Sequence, residues 1–249
     1  MILYLSLQAH DYGGEYVFKK YKPEQLNVLL SFQYAEEIHG IHPKQFRNFM
    51  ADSGAFTAMN AGIKIDGKYI DSYIEWVKKF EIQNYIEMDL DEIVGYQETI
   101  SIRKYIENKV GRQSIPVWHK ERGFDEWKKM CMDYPYVAIS LSGATSTSKW
   151  LAFHKYKPIQ PLMNVARKNL CKVHALGCNK WGLMHRFHFY SVDSSCHSLG
   201  YRYGVIYQFK DGRIHTVKNT SQYMLNGRKI AEHNVDEMIK GAEYAFKKL

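Results

Sequence analysis

FMADSGAFTAMNAG (residues 49–62) joins an apolar run to an aspartate, a serine and a glycine, and then continues with small residues and a phenylalanine. A β-strand that ends in a tight turn and leads into a helix has this composition. Because an isolated turn uses the same residue types, the segments on either side have to decide between the two interpretations.

Short runs of β-type residues recur along the whole chain, with helical patterns between most of them. The runs are ILYLSL (2–7), NVLLSF (27–32), FRNFMAD (46–52), YIEMDL (85–90), SIPVWH (114–119), YVAISL (136–141), KVHALG (172–177) and FHFYSV (187–192). Strands that alternate with helices indicate βα units and a parallel sheet. Eight such units in 249 residues predict an α/β fold of the (β/α)8 TIM-barrel type, with an open doubly wound sheet as the main alternative.

Helical periodicity is clearest in four of the intervening segments. In the first of them Tyr73, Trp76 and Val77 are spaced by one turn or less, so one face can pack on a sheet. The four segments cover residues 69–81, 97–109, 124–133 and 161–170.

The C-terminal end departs from the βα alternation. Residues 203–217 are predicted to form a hairpin that turns at Asp211 and Gly212. Residues 234–249 then form an amphipathic helix, with Asn234 as its expected cap. We predict a single domain over residues 1–249 with this hairpin and helix appended to the barrel.

The amino-acid composition limits the classes of protein to which the chain can belong. Hydrophobic residues make up 45% of the chain and charged residues 24%, which is ordinary for one soluble domain. Lys and Arg outnumber Asp and Glu by 34 to 26, and a net charge of +8 favours polyanionic partners such as nucleic acid. No apolar run approaches the roughly 18 residues of a membrane span. We expect a cytoplasmic protein without a membrane partner.

The four cysteines, at positions 131, 171, 178 and 196, form no CxxC pair and no regular spacing. The sequence therefore predicts neither a disulfide scaffold nor a zinc site, and we expect no metal and no cofactor.

Polar residues cluster where the predicted strands end, which in a barrel is the edge that carries the chemistry. They are Asp52, Ser53 and Gly54 after the third run, Asp89 and Asp91 at the fourth, His119 at the fifth, Ser142 and Gly143 after the sixth, His174 and Gly177 in the seventh and Asp193 after the eighth. Carboxylates that converge on a cleft can divide nucleophilic attack, proton transfer and base recognition between them. Guanine suits such a site because its N1–H and amino group are adjacent donors. Taken singly, each aspartate is better explained as a helix cap or turn residue, and only the set as a whole favours a site.

Three segments resemble a known family. DSGAF (52–56) is similar to the DSGGF signature of the tRNA-guanine transglycosylases, and VHALG (173–177) and FYSVDSS (189–195) resemble the seventh- and eighth-strand segments of the same enzymes. The resemblance extends from about Asp52 to Gly204. It is closest to the small phage and bacterial branch that inserts 7-deazaguanine bases into DNA.

The resemblance implies an enzyme, a pentosyltransferase that exchanges guanine for a preQ0-like 7-deazaguanine by a covalent Asp–C1′ double displacement. It implies Asp52 as general acid/base and Asp91 as the residue that recognises the base, with Asp89 as the alternative. The nucleophile is then Asp193, although direct alignment with the tRNA enzymes places Tyr190 at the family's aspartate.

The remaining candidates are substrate-binding residues. Gly54 and Gly143 would let the backbone approach a flat base, and Phe56 either covers one face of that base or belongs to the core. His119 and His174 are either hydrogen-bonding groups in the pocket or structural residues. The full set is Ser53, Gly54, Phe56, Asp89, Asp91, His119, Ser142, Gly143, His174 and Gly177.

Other features bear on the substrate and on rival functions. The zinc subdomain of the tRNA enzymes, a CxCxxC run with a later His, is absent, which favours DNA over tRNA. Candidate phosphate-contacting residues are Lys149, Lys155, Lys157, Arg167, Lys168, Arg186 and Arg202. A rival enzyme class is a metal-dependent barrel hydrolase using His119, His174 and Asp193. A second rival is a non-catalytic barrel that binds nucleic acid or a partner. The oligomeric state stays open.

Overall fold

The computed structural model describes residues 1–7, 12–37, 40–142, 145–196, 200, 203–217 and 226–249. Its central feature is an eight-stranded, all-parallel sheet in the order β4-β3-β2-β1-β8-β7-β6-β5. The strands are β1 Ile2–Leu7, β2 Asn27–Ser31, β3 Asn48–Asp52, β4 Asn84–Tyr85, β5 Val117–Trp118, β6 Tyr136–Ser140, β7 Lys172–Leu176 and β8 Ser191–Ser194.

This strand order is the one expected of a curled, barrel-like sheet, because strands adjacent in sequence are adjacent in space and the first strand pairs with the eighth. The ladder does not continue between β4 and β5. An isolated parallel bridge between Ile86 and Ile115 lies at that seam. There Glu87 N donates to Ile115 O at 3.0 Å and Ile115 N to Tyr85 O at 2.8 Å. The expectation of a parallel α/β fold is thus confirmed, as a curled sheet without a full ladder at one seam.

The helices lie along the sheet and return the chain from one strand to the next. They are α1 Tyr12–Lys20, α2 Ala55–Asn60, α3 Gly67–Lys79, α4 Asp91–Val94, α5 Tyr96–Val110, α6 Gly123–Asp133, α7 Ser146–Phe153, α8 Ile159–Lys168, α9 Trp181–Phe187 and α10 Gly227–Lys248. Short 3₁₀ turns cover Pro23–Gln25, Phe32–Glu37, Pro43–Gln45 and Lys120–Arg122. The four periodic segments noted in the sequence correspond to α3, α5, α6 and α8.

Helix α3 shows why these segments fold as they do. The side chain of Asp66 accepts from the backbone N–H groups of Lys68 and Tyr69, which starts the helix two residues before its apolar pattern. Tyr73, Trp76 and Val77 are then buried on one face.

Apolar side chains form two clusters, one on the outer face of the curled sheet and one on its inner face. The larger cluster fills the space between strands and helices. The smaller cluster lies within the curl and consists of Tyr4, Leu29, Met50, Ile86, Ile115, Val117, Tyr136 and Ala138. Side chains from both edges of the sheet contribute to this inner layer, so the two edges face each other across it.

The C-terminal hairpin is confirmed as β9 Ile206–Lys210 and β10 Arg213–Val217, with Asp211 and Gly212 both at positive φ in the turn. The predicted start of the last helix is wrong, because α10 begins at Gly227 with Asn226 as its cap. Asn234 is instead buried within the helix. It accepts from Tyr207 N and donates to Val205 O, both at 2.9 Å, and so holds the hairpin against the helix.

The eighth predicted run also needs correction. Phe187 is the last residue of α9, and His188 ends that helix in the left-handed region at φ 48°. The strand therefore begins at Ser191 rather than at residue 187. The hydrophobic run was a helix end followed by a strand, which periodicity over six residues does not separate.

The four cysteines are free. None of the helices in the described ranges combines the length and the apolar character that a membrane crossing requires.

Candidate functional site at the carboxyl ends of the strands

The turn after β3 positions Asp52. Gly54 adopts φ +72°, and a Cβ atom there would lie 2.9 Å from both Ser31 Oγ and the Tyr69 hydroxyl, so only glycine fits. The Gly54 N–H donates to Asp52 Oδ2 at 3.2 Å, and the Tyr69 hydroxyl donates to Ser53 O at 2.8 Å. Asp52 is two residues beyond Met50 of the inner layer, so its side chain shares that face.

The loop after β7 positions Asp193. Gly177 adopts φ +65°, a Cβ atom there would approach Ser142 Cα to 3.0 Å, and the Gly177 N–H donates to Asp193 Oδ1 at 2.7 Å. His174 Nε2 lies 3.3 Å from the same carboxylate oxygen. The Asp193 side chain is 10% exposed, and the His174 side chain is fully buried. Gly177 and His174 therefore contribute by holding Asp193.

The three strand-end aspartates interact electrostatically. Burial raises the pKa of Asp52 to about 6, and the Gly54 N–H opposes this shift. The charges of Asp193 and Asp89 raise the pKa further. Acids from the ends of β3, β4 and β8 thus lie near enough to influence one another. A carboxyl group with a pKa near 6 can both give and take a proton at neutral pH.

Asp89 and Asp91 have different surroundings. Asp91 Oδ1 and Oδ2 accept from Arg122 Nη2 and Nε at 2.8 and 2.7 Å, a bidentate pair that occupies its carboxylate. Asp89 contacts His119 Nε2 at 2.5 Å, and its side chain is 30% exposed. Burial works against a charge on His119, but the hydrogen bond and charge of Asp89 outweigh it and raise the pKa of His119. Of the two aspartates, Asp89 is the one with access to a ligand.

Behind Asp89 lies a buried charge cluster that the sequence did not indicate. Glu87 accepts from Arg103 Nη1 at 3.1 Å and from Arg122 Nη1 at 2.8 Å, and all three side chains are at most 4% exposed. Glu87 Oε1 also accepts from Val117 N of β5 at 2.5 Å. No short-range sequence pattern marks these residues, because they are distant along the chain and meet only at the seam between β4 and β5.

The other predicted site residues are placed as follows. Ser53 is buried. Phe56 is 58% exposed, so of its two alternatives the one that places it in the core is wrong. Ser142 is half-buried next to Gly177. Gly143 lies outside the described residues.

Tyr190 is the alternative candidate for the nucleophile. It lies at the opposite end of the strands from Asp193, where the strands begin. Its N–H donates to Val173 O and its carbonyl accepts from Ile2 N, each at 3.0 Å, where β7 and β1 begin. The Lys172 ammonium lies 4.4 Å from the centre of its ring. Three residues of strand, about 10 Å, separate Tyr190 from Asp193. Tyr190 therefore does not share the rim with Asp52.

Two further residues that sequence reasoning missed, Tyr136 and Ser191, lie inside the curl below Asp193. Ser191 Oγ contacts the Tyr136 hydroxyl and His174 Nδ1, the latter at 2.5 Å. The two-residue period of strands carries the missed signal, since Ser191 and Asp193 fall on one face of β8.

Among the described residues no group of three or more His, Cys, Asp and Glu side chains is arranged to hold a metal ion. The set of His119, His174 and Asp193 that a metal-dependent hydrolase would use is accordingly not such a group.

Comparison with known proteins adds no name to this site. No protein-family model matches the chain, and no curated protein matches it.

Proposed function

We propose that the protein is a nucleic-acid guanine transglycosylase that exchanges guanine for a 7-deazaguanine base. The observation that carries this proposal is the set of aspartates at or beyond the carboxyl ends of β3, β4 and β8, namely Asp52, Asp89 and Asp193, with Gly54 N donating to Asp52 and Gly177 N donating to Asp193. The resemblance of DSGAF, VHALG and SVDS to the transglycosylase segments supports the same reaction class, since these segments supply Asp52, Gly177 and Asp193.

The proposed reaction is a double displacement at C1′ of the nucleoside. Asp193 Oδ2, the oxygen not bound by Gly177 N, forms a bond to C1′ while the C1′–N9 bond of guanine breaks. Guanine leaves with that electron pair and takes a proton from Asp52. N9 of the incoming base then attacks C1′, the ester to Asp193 breaks, and the N9 proton passes to Asp52. Two displacements retain configuration, and protons and electrons balance.

Base recognition is assigned to Asp89 rather than Asp91. An ionised carboxylate accepts the N1–H and amino donors of guanine, and it must have free acceptor positions to do so. Arg122 donates to both oxygens of Asp91 at hydrogen-bond distance. Asp89 is 30% exposed, contacts His119 through Oδ2, and has only a longer contact of 3.6 Å between Oδ1 and Arg122 Nη2. Phe56, exposed one turn beyond Asp52, is available to cover a face of the base.

We further propose that the curled sheet is a closed TIM barrel. At the seam where the backbone ladder stops, the Glu87 side chain accepts from Val117 N and replaces a missing strand-to-strand bond. The seam is then closed by a side chain and a single backbone bridge.

DNA is the preferred polymer. This preference rests on the resemblance to the DNA-modifying branch. The non-catalytic alternative relied on Tyr190 replacing the nucleophile, and the position of Tyr190 at the other edge of the sheet removes that support.

The test incubates the full chain with radiolabelled guanine and a guanine-containing DNA, and separately with tRNA. We expect label to enter DNA and not tRNA, and Asp193→Asn to abolish the exchange. Asp91→Asn should retain more exchange than Asp89→Asn, because Asp91 is assigned no contact with the base. Label entering neither polymer, with the fold intact by circular dichroism, contradicts the proposal. Label entering tRNA alone contradicts the choice of DNA.

A further inference from the structure

A buried polar chain lies inside the curl, directly below Asp193. It consists of Tyr136, Ser191 and His174, whose relative exposures are 8%, 0% and 0%. The Tyr136 hydroxyl contacts Ser191 Oγ, Ser191 Oγ contacts His174 Nδ1 at 2.5 Å, and His174 Nε2 faces Asp193 Oδ1 at 3.3 Å. The rings of Tyr4 and Tyr136 pack edge-on against His174, at 6.0 and 6.5 Å between ring centres.

The number of polar hydrogens fixes the direction of the hydrogen bonds in this series of side chains. A neutral imidazole carries one N–H, and a lone pair on Nε2 directed at the Asp193 carboxylate would be repulsive. With the proton on Nε2, Nδ1 accepts from the Ser191 hydroxyl, and Ser191 accepts from Tyr136. Every buried polar hydrogen then points toward Asp193, and the Tyr136 hydroxyl, the Ser191 hydroxyl and His174 Nδ1 each have a hydrogen-bond partner.

The contact between His174 and Asp193 is short but poorly aligned for a hydrogen bond. By strict geometry the buried Nε2 atom has no hydrogen-bond partner in the described structure. Because an unmatched buried N–H is costly, its approach to a carboxylate oxygen is the interaction that compensates it. Gly177 N donates to the same oxygen, so these two interactions both fall on Oδ1 and neither involves Oδ2.

From this geometry we propose that His174 is a positioning residue for the nucleophile, and that Ser191 and Tyr136 fix its Nε2–H tautomer. The expected effect of this positioning on the reaction rate rests on the proposed transglycosylase function. His174 touches no substrate, because its side chain is fully buried below Asp193. Its effect is to orient Oδ2 for attack at C1′.

The first experiment tests the tautomer and does not depend on activity. Long-range ¹⁵N–¹H NMR of the full chain, with the His174 signals assigned by their disappearance in His174→Gln, should show the proton on Nε2. Ser191→Ala should change the His174 resonances. Ser140→Ala, which removes another buried serine whose hydroxyl contacts Thr145 instead, should leave them unchanged. A proton found on Nδ1 in the wild-type protein overturns the proposal.

The second experiment uses a matched pair of substitutions. Glutamine places its amide nitrogen near the position of Nε2 and can still donate to Asp193, whereas asparagine reaches only the Nδ1 position. The rate of covalent adduct formation on guanine-containing DNA, in single turnover without incoming base, should fall about 100-fold in His174→Asn and less than about tenfold in His174→Gln. Binding of the DNA should stay within about twofold in both variants, because the residue does not contact it.

The outcomes separate the two proposals. Equal reductions in both variants, with both folded by thermal unfolding, contradict the positioning role while the transglycosylase proposal stands. Absence of any adduct in the wild-type protein contradicts the function, and the tautomer of His174 then still decides whether the chain is oriented toward Asp193.

Discussion

The Asp52 carboxyl group is held in an environment that disfavours its charged form. Burial and the neighbouring charges of Asp193 and Asp89 raise its pKa, and the Gly54 N–H acts in the other direction. A pKa of about 6 in the folded chain lies above the ordinary value of 3.8. The folded protein therefore binds this proton more tightly than the unfolded chain does, and the ionised form costs stability.

Asp52→Asn should abolish base exchange and stabilise the protein at pH 8. The gain should be about 1–3 kcal/mol in the free energy of unfolding, because the wild-type folded state must carry the unfavourable charge. The gain should shrink as the pH falls from about 6 toward 4, where the wild-type carboxyl group is protonated in the folded state and increasingly so in the unfolded chain. Urea unfolding at pH 8 and at pH 4.5 measures the difference. An Asn variant that is equally stabilised at both pH values would contradict the raised pKa.

At the scale of elements, the seam between β4 and β5 is held by side chains. These two strands are only two residues long, and one isolated bridge joins the segments beside them. Glu87 spans the seam to Val117 N, and Arg103 from α5 and Arg122 from the turn after β5 neutralise it. The charge cluster thus supports the same strand ends that carry Asp89 and His119.

Arg122→Met should destabilise the protein by about 3–5 kcal/mol, because it leaves the fully buried Glu87 with one fewer cationic partner. The matched control is Arg228→Met, which removes an exposed pair with Glu232 on α10 and should cost less than about 1 kcal/mol. Denaturant unfolding of both variants supplies the comparison. Similar small decreases in stability for the two would show that the seam does not depend on this cluster.

Across the protein, the basic residues proposed to contact nucleic acid divide between the two ends of the strands. Lys149 lies in α7, and Lys155 and Lys157 follow it before α8 turns back, so all three belong to the edge where the strands end. Arg167 and Lys168 close α8 and Arg186 is near the end of α9, which places them where the next strands begin. Arg167 also donates to Phe187 O at 2.8 Å. Arg202 lies outside the described residues.

We expect the triple substitution Lys149→Ala, Lys155→Ala and Lys157→Ala to weaken DNA binding. Removing one lysine–phosphate interaction should reduce the slope of log affinity against log salt by about 1, so the slope of the triple variant should fall by up to about 3. The control removes the same charge from the end where the strands begin, at Lys79, Lys109 and Lys172, and should change little. Fluorescence anisotropy over a salt series measures both. Equal effects of the two triple substitutions would show that the DNA does not lie across the carboxyl ends of the strands.

The sequence predicted the repeating strand and helix pattern well, because each element carries its own periodicity. Runs such as residues 2–7, 136–141 and 172–177 match strands to within one residue, and the turn at Asp211 and Gly212 forms as its residue types require. The β8 start and the start of α10 were misplaced, since a short apolar run and an internal asparagine look alike in a strand, a helix end or a cap.

The features that could be predicted from the residues alone are local: the order of strands and helices, the turn that presents Asp52, and the acids at the strand ends. Tertiary contacts alone determine which of these acids already have hydrogen-bond partners. Arg122 takes both oxygens of Asp91, His119 holds Asp89, and His174 and Gly177 meet on one oxygen of Asp193. These partners are separated by 16 to 31 residues along the chain, so no local pattern encodes their contact. Packing of the strands into one curl brings these partners together.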